Sequence, residues 1–254
     1  MSHLFSEFTL HSPRGPLKLP NRVIVAPMCQ YSAHEGQATD WHLMHWGNLL
    51  NSGAAMFFIE ATAVTPKGRI TPTCLGLWDE ATAAALHDKL GRARHLAPKV
   101  PVCMQLAHAG RKGSSAAPWN GGQLLDASHG GWQPEAPSPV PHLEQETPPD
   151  EITPQGLIDI EQAFVKAIQR ADAMGIDAIE LHGAHGYLFH QFLSPIANKR
   201  TDAYGGNFEN RIRFPMQVFK AVRAAFTGVL GMRISATDWV DNGWTPEETA
   251  DFAA

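Results

Sequence analysis

The chain has 254 residues, of which 44% are hydrophobic and 18% charged, as is ordinary for a soluble globular protein with a sizeable core. The net charge of −5 gives no reason to expect nucleic acid or an anionic membrane as a partner. Three widely spaced cysteines indicate no disulfide framework and favour a reducing cytoplasm. Neither a secretory signal peptide nor an apolar run long enough to cross a bilayer is visible.

In chain order, residues 8–22 carry several prolines and a glycine and predict a hairpin that leads into the main fold. Five apolar runs then predict buried strands of the parallel type. These runs are Val23–Met28, Ala54–Val64, Val100–Leu106, Ala178–His182 and Leu230–Ala236. Helical patterns alternate with them, and Asp79, Thr153 and Thr245 are the predicted N-caps of three helices.

This alternation fits either a doubly wound sheet or a (β/α)8 TIM barrel. The connections that follow the strands are long, whereas those that precede them are short, and this favours a barrel with functional loops at its C-terminal face. Only about five βα units are present, and three more would take on the order of a hundred further residues. Three explanations stay open: a fragment of a longer protein, an open sheet, or a second chain that completes it.

The most unusual stretch lies at the end of the fourth predicted strand, where His182, His185 and Tyr187 occur within six positions. One interpretation is a pair of structural histidines. Another is a zinc site, although zinc needs three or four ligands and no Asp, Glu or Cys lies between Glu180 and Asp202. The third, which we favour, is recognition of a substrate oxygen by two neutral imidazoles, with the tyrosine as proton donor.

Two polar residues interrupt other apolar strands. The Gln105 amide can both donate and accept, which suits the edge of a uracil-like ring. Arg233 predicts an anion or a developing negative charge in the barrel, and a salt bridge to Glu60 or Glu180 is the alternative. Met28 and Cys29, at the end of the first strand, could be ordinary core residues. The chain contains no G-x-G-x-x-G, P-loop or G-x-S-x-G motif.

Five segments together resemble the Old Yellow Enzyme family of FMN-dependent ene-reductases over nearly the whole chain. They are NRVIVAPM (21–28), EA (60–61), QLAHAGR (105–111), HGAHGYL (182–188) and SPIANKRTDAYGGNFENR (194–211). Cys29, Tyr31 and the small Ala107 are similar to the xenobiotic-reductase, or thermophilic-like, branch of that family. We interpret Asn198–Arg211 of the last segment as mainly structural.

The resemblance implies a single FMN-binding barrel domain over residues 1–254, with the hairpin at 8–22, a lid loop at 107–152 and a missing C-terminal part. The residues that it assigns to the flavin are Ala26, Pro27, Met28, Cys29, Ala61, Gln105, His182 and Arg233. His182 and His185 would hold the substrate oxygen, Tyr31 would orient the ligand, and Tyr187 would protonate the α-carbon. No metal is implied.

The resemblance also implies NAD(P)H as a transient co-substrate and small activated alkenes as substrates. We further expect a cytoplasmic enzyme that forms homo-oligomers. In the family, the flavin phosphate is held by loops after the seventh and eighth strands, and neither strand is present. If the 254 residues are the whole protein, weak FMN retention and poor solubility are therefore expected. The rival hypotheses are a catalytically inactive fragment or binding module of the same fold, and a metal-dependent hydrolase.

Overall fold

A computed structural model of the chain describes residues 3–97 and 99–254. The start of the N-terminal segment and the centre of the short connection 97–99 lie outside the described residues. The strands are β1 (Phe8–Leu10), β2 (Leu17–Leu19), β3 (Ile24–Val25), β4 (Met56–Ala63), β5 (Val102–Ala107), β6 (Glu135–Ala136), β7 (Asp150–Glu151), β8 (Ala178–Gly183) and β9 (Val229–Ile234). The α-helices are α1 (Asp40–Leu50), α2 (Glu80–Leu96), α3 (Pro154–Ala173), α4 (Leu188–Leu193), α5 (Phe208–Arg211), α6 (Arg213–Ala225) and α7 (Pro246–Ala253).

The main sheet is parallel, with its five strands in the order β3-β4-β5-β8-β9. The strand order follows the chain order because each helical connection returns the chain to the next position in the sheet. The prediction of five βα units is confirmed. The antiparallel pair β1–β2 lies within the predicted hairpin.

The three inner strands are mostly apolar and almost completely buried, as a parallel sheet covered by helices requires. Beneath the C-terminal half of the sheet, phenylalanine rings connect α3, α4 and α6. The ring centroids of Phe164 and Phe189 are 5.0 Å apart, and those of Phe192 and Phe214 are 4.6 Å apart. This aromatic layer fixes α4, the short helix that follows the end of β8.

The first predicted strand is wrong in extent and in burial. It comprises only Ile24–Val25, and Ile24 and Met28 are 44% and 57% exposed. Pro27 has no N–H to donate to a ladder, and within residues 3–97 and 99–254 this edge strand pairs with β4 alone. At the other edge, the residues of β9 are half-buried or exposed.

The long connection between β5 and α3 contains the small parallel pair β6–β7, which the sequence analysis did not predict. Buried arginines of the 194–211 segment hold this connection and its surroundings in place. Arg200 donates to the carbonyl oxygens of Pro137 and Ile152, at 3.1 and 2.8 Å. Arg211 donates to the carbonyl of Leu193 at 2.8 Å. The structural interpretation of this segment is confirmed.

Candidate active site

Polar side chains of three adjacent strands meet on one face of the sheet near its C-terminal end. Gln105 of β5 lies opposite Glu180 of β8, and His182 of β8 lies opposite Arg233 of β9. Because side chains alternate between the two faces of a strand, Glu180 and His182 point to the same face. The Gln105 amide donates to the Glu180 carboxylate at 2.6 Å, which confirms that the two strands present these residues together.

The predicted cluster of His182, His185 and Tyr187 is formed in the structure. The centroid of the His182 ring lies 5.0 Å from that of His185 and 4.9 Å from that of Tyr187, and both contacts are edge-to-face. His182 is 3% exposed, Tyr187 is half-buried and His185 is exposed. The three rings therefore form one contact cluster around His182, with the most buried member in the strand and the most exposed one in the turn.

Both histidines of this cluster are neutral at ordinary pH. Burial lowers the pKa of His182 to about 3, and nearby His185, Arg233 and Lys112 act in the same direction. Burial, followed by the charges of Arg233 and Lys112, also lowers the pKa of His185. Nδ1 of His182 is buried and has no hydrogen-bond partner among the described residues. A buried polar atom without a partner is unusual and suits a site that is completed by a ligand.

Tyr187 is a phenol whose proton is firmly held. Burial raises its pKa above the ordinary value of 10.0, and Cys29 and Tyr31 raise it further. The ammonium of Lys112 lies 5.1 Å from the centroid of the Tyr187 ring. Such an acid suits protonation of a strongly basic carbon and does not suit assistance to a mild leaving group.

The segment after β3 reaches the same region. Tyr31 has a left-handed backbone (φ 51°), and its ring makes an edge contact with Trp119 of the long connection at 5.3 Å. Burial raises the pKa of Tyr31 to about 12. A hydrogen bond to Cys74, together with burial, raises the pKa of Cys29. The interpretation of Met28 as core is wrong because more than half of its side chain is exposed.

The alternative interpretation of Arg233, an ion pair with Glu60 or Glu180, is also wrong. Within the described residues the guanidinium makes neither an ion pair nor a hydrogen bond. Glu60 is engaged elsewhere, since it accepts from the backbone N–H of Gln30 at 2.6 Å and lies 3.4 Å from Nε2 of His42. Arg233 is thus a cation without a contact partner among the described residues, on the face that carries His182. It acts on Glu180 only at longer range, since burial raises the pKa of that carboxyl and the charge of Arg233 lowers it in part.

The sequence analysis missed the residues that hold this cluster in place. Lys112 donates to the His185 carbonyl at 3.0 Å, and Ser235 accepts from the His185 N–H at 2.9 Å. His190 and Gln191 of α4 contact the backbone of Gly186. A signal was available in the sequence, since a histidine and a glutamine inside the apolar stretch 188–193 must find partners if that stretch is buried.

The described residues contain no group of three or more His, Cys, Asp and Glu side chains that could hold a metal ion. None of their helices is both long and apolar enough to span a bilayer.

Comparison with known families decides the relationship. The chain matches the NADH:flavin oxidoreductase / NADH oxidase family over residues 4–254. The chain belongs to this family. It is 40% identical to an NADH:flavin oxidoreductase of Gibberella zeae, with 97% of this chain and 63% of the relative covered. It is 38% identical to the NADPH dehydrogenase of Bacillus licheniformis, with 97% and 68% covered.

Solved structures agree. The chain is similar to morphinone reductase in complex with tetrahydroNAD, with a TM-score of 0.79, 27% identity, and 98% of this chain and 68% of that chain covered. The Old Yellow Enzyme from a Pichia species shares the fold, with a TM-score of 0.81, 23% identity, and 99% and 65% covered. The predicted family and its barrel fold, with about five βα units in this chain, are confirmed. The chain spans 63–69% of the length of the curated relatives that it matches.

Family membership makes FMN the implied cofactor and a nicotinamide dinucleotide the implied co-substrate. Three observations on the described part of the chain fit a flavin ring at this site: the Arg233 guanidinium has no contact partner there, the Met28 side chain is exposed, and the buried Nδ1 of His182 has no hydrogen-bond partner there. A cation without a protein partner suits the electron-rich edge of such a ring, and an exposed apolar side chain suits its face.

Proposed function

We propose that this family member reduces activated alkenes, namely α,β-unsaturated carbonyl or nitro compounds, with NAD(P)H as reductant and FMN as the hydride carrier. The observation that carries the proposal is the cluster of two neutral imidazoles and one phenol within 5.0 Å centroid separations. FMN, when bound, supplies the redox chemistry, so that the protein has to supply orientation and proton transfer.

His182 and His185 would bind the substrate oxygen. A neutral imidazole carries one N–H donor, and two such donors on one oxygen withdraw electron density from a conjugated double bond. An imidazolium ion would instead place a charge in a buried position. Burial disfavours that charged form, and the lowered pKa of His182 is the result. Small carbonyl and nitro compounds are therefore favoured over ligands that need a cationic site.

Tyr187 would protonate the α-carbon of the alkene. Its raised pKa keeps the phenol protonated over the whole physiological range, so that the proton is available in every encounter. The same raised pKa makes the phenol a poor acid toward weak bases, which confines proton transfer to a strongly basic carbon. Tyr31 would line the substrate space from the opposite side.

The chain's own contribution to cofactor binding would come from residues in or directly after the five strands of the main sheet. The proposed flavin contacts are Ala26, Pro27, Met28, Cys29, Ala61, Gln105, His182 and Arg233. Ala61 is buried in β4, and the first four residues follow β3 directly. Gln105, whose Nε2 donates to Glu180, would offer its amide oxygen to the ring.

The test compares Tyr187→Phe with Tyr204→Phe, a control whose hydroxyl contacts Gln217 and lies outside the cluster. Stopped-flow absorbance measures flavin reduction by NADPH and reoxidation by 2-cyclohexenone separately. Tyr187→Phe is expected to slow the alkene step by roughly 10²-fold or more, because a general acid is lost, and to leave flavin reduction nearly unchanged. Equal slowing of both steps would remove Tyr187 as the proton donor.

One spectrum decides between the proposal and an inactive binding module. A flavin absorbance that bleaches anaerobically with NADPH and recovers with 2-cyclohexenone supports the proposal. A protein that binds FMN without being reduced, or that is reduced and never reoxidised by the alkene, contradicts it.

A further inference from the structure

The turn between β8 and α4 holds two consecutive residues in the left-handed region, His185 at φ 59° and Gly186 at φ 72°. For a residue with a side chain this conformation costs about 1 kcal/mol or more. His185 is also one of the two proposed oxygen-binding histidines, and Tyr187 follows Gly186 directly. The turn therefore sets the direction of two functional side chains from a backbone that is strained when isolated.

All four backbone polar groups of His185 and Gly186 are satisfied by side chains from other positions. Ser235 accepts from the His185 N–H at 2.9 Å, and Lys112 donates to the His185 carbonyl at 3.0 Å. Nδ1 of His190 accepts from the Gly186 N–H at 2.8 Å, and Gln191 donates to the Gly186 carbonyl at 2.7 Å. Three separate parts of the chain thus converge on one dipeptide.

His190 differs from the other three because its bond fixes a protonation state. A backbone N–H can only donate, so Nδ1 must be the unprotonated nitrogen and the imidazole proton must reside on Nε2. Nε2 lies 2.9 Å from Oδ1 of Asp238, at an oblique angle, and the ring is 7% exposed. A carboxylate at this distance favours the Nε2–H tautomer by electrostatic attraction.

Asp238 is itself fixed. Its Oδ2 accepts from the hydroxyl of Ser194 and from the backbone N–H of Trp244, both at 2.7 Å. The Ser194 hydroxyl donates to the carboxylate and not to the imidazole. These residues therefore lack the serine–imidazole hydrogen bond that a Ser–His–Asp triad uses to activate its nucleophile. The chain of contacts runs from the loop after β9, through Asp238 and His190, to Gly186.

We propose that His190 and Asp238 are positioning residues that hold the His185–Tyr187 turn in its left-handed conformation. His190 acts as a hydrogen-bond acceptor for Gly186, and Asp238 keeps the imidazole in the tautomer that can accept. The effect on alkene reduction rests on the proposed function; the effect on the turn does not.

The test uses two variants of His190 that separate its two nitrogens. In His190→Asn, the amide oxygen stands near the place of Nδ1 and can still accept from Gly186. In His190→Gln, the amide stands near the place of Nε2, so that the contact with Asp238 is kept and the bond to Gly186 is lost. Hydrogen exchange of the Gly186 amide, measured by NMR on the full chain, reports on the turn without any cofactor.

His190→Gln is expected to speed exchange at Gly186 roughly tenfold, the factor that corresponds to one lost hydrogen bond, whereas His190→Asn stays close to the wild type. Equal exchange in the two variants would overturn the proposal.

In case His190→Gln does not fold, the wild-type chain gives a second test. A two-bond proton–nitrogen spectrum is expected to show His190 with its proton on Nε2, and a proton on Nδ1 would overturn the proposal.

The functional readout separates this proposal from the proposed function. In the flavin-loaded chain, His190→Gln is expected to slow reoxidation by 2-cyclohexenone several-fold more than His190→Asn does, with flavin reduction by NADPH unchanged. If the wild type fails to reduce alkenes while Gly186 exchange behaves as stated, the proposed function is wrong and the positioning role stands. If the wild type reduces alkenes and the two variants are alike in exchange, the positioning role is wrong.

Discussion

Two buried histidines, one directly after β5 and the other in α4 after β8, use the same arrangement with different results. His108 follows β5: its Nδ1 accepts from the Gly110 N–H at 3.1 Å, and its Nε2 lies 3.3 Å from Glu135. His190 follows β8, and its Nε2 lies 2.9 Å from Asp238. The first imidazole binds a backbone two residues away and anchors the long connection through β6. The second reaches back four residues to the turn that carries His185 and Tyr187.

An imidazole between a backbone N–H and a carboxylate fixes a loop in both places, and its effect depends on which residues that loop carries. The environments also differ. The Glu135 side chain is 23% exposed and its other oxygen lies 3.7 Å from Lys67. The Asp238 side chain is 10% exposed, and its other oxygen has two protein donors.

Removal of each carboxylate is the most severe test of this difference. Asp238→Ala leaves an imidazole, a hydroxyl and a backbone N–H without their acceptor, and we expect a loss of about 3 kcal/mol in the free energy of unfolding. Glu135→Ala, the matched control, removes one longer and more exposed contact and should cost about 1 kcal/mol or less. Urea unfolding at fixed pH measures both values. Equal losses would mean that the two pairs are energetically alike.

His182 provides the contrast of a buried histidine that has no carboxylate partner within the described residues. Its pKa is about 3 in the folded chain, compared with the ordinary value of 6.5. Between these two pH values the imidazole is protonated in the unfolded chain and neutral in the folded chain. Stability must therefore fall as the pH decreases from about 6.5 toward 3. The loss attributable to His182 should reach about 2 kcal/mol at pH 5 relative to pH 8.

The control for this prediction is His182→Asn, which removes the titrating group. Urea unfolding of both proteins at pH 5 and pH 8 gives the difference directly. A wild type and a variant with the same acid sensitivity would show that His182 is protonated without penalty in the folded chain.

Substitution of Lys112 should give the smallest effect of the three, a change in the pKa values of two neighbouring histidines. Its ammonium lowers the pKa of both His182 and His185, after the larger effect of burial. Lys112→Met is therefore expected to raise the pKa of both imidazoles. Lys67→Met, which removes a charge beside the His108–Glu135 pair, should leave the pKa values of His182 and His185 unchanged. NMR titration of the imidazole protons measures these shifts, and unchanged values in Lys112→Met would show that the ammonium is fully screened by solvent.

The sequence predicted best those features that depend on local contacts. Asp79, Thr153 and Thr245 cap their helices as expected, because a cap bonds to an N–H only three residues away. The predicted strand Val23–Met28 was too long because the length of a strand depends on its partner, which the local pattern does not contain. The grouping of His182, His185 and Tyr187 was predictable because all three lie within six positions.

The supporting residues could not be placed from the sequence. Asp238 lies 48 positions after His190, and no local pattern connects them. The Gln105–Glu180 pair could have been predicted from the sequence, because both are polar residues near the centres of strands that are adjacent and parallel. The unpaired state of Arg233 depends on where Glu60 and Glu180 find their partners, which is a property of the assembled site.

Gln191 joins the loops after β5 and β8, since its side chain contacts Arg111 and Ala109 on one side and Gly186 on the other. Gly110 has a left-handed backbone, and any Cβ there would collide with the Gln191 amide at 2.2 Å. The two loops are therefore not independent modules. In recombination between relatives or in loop grafting, residues 108–112 and 184–191 have to be exchanged as a single unit.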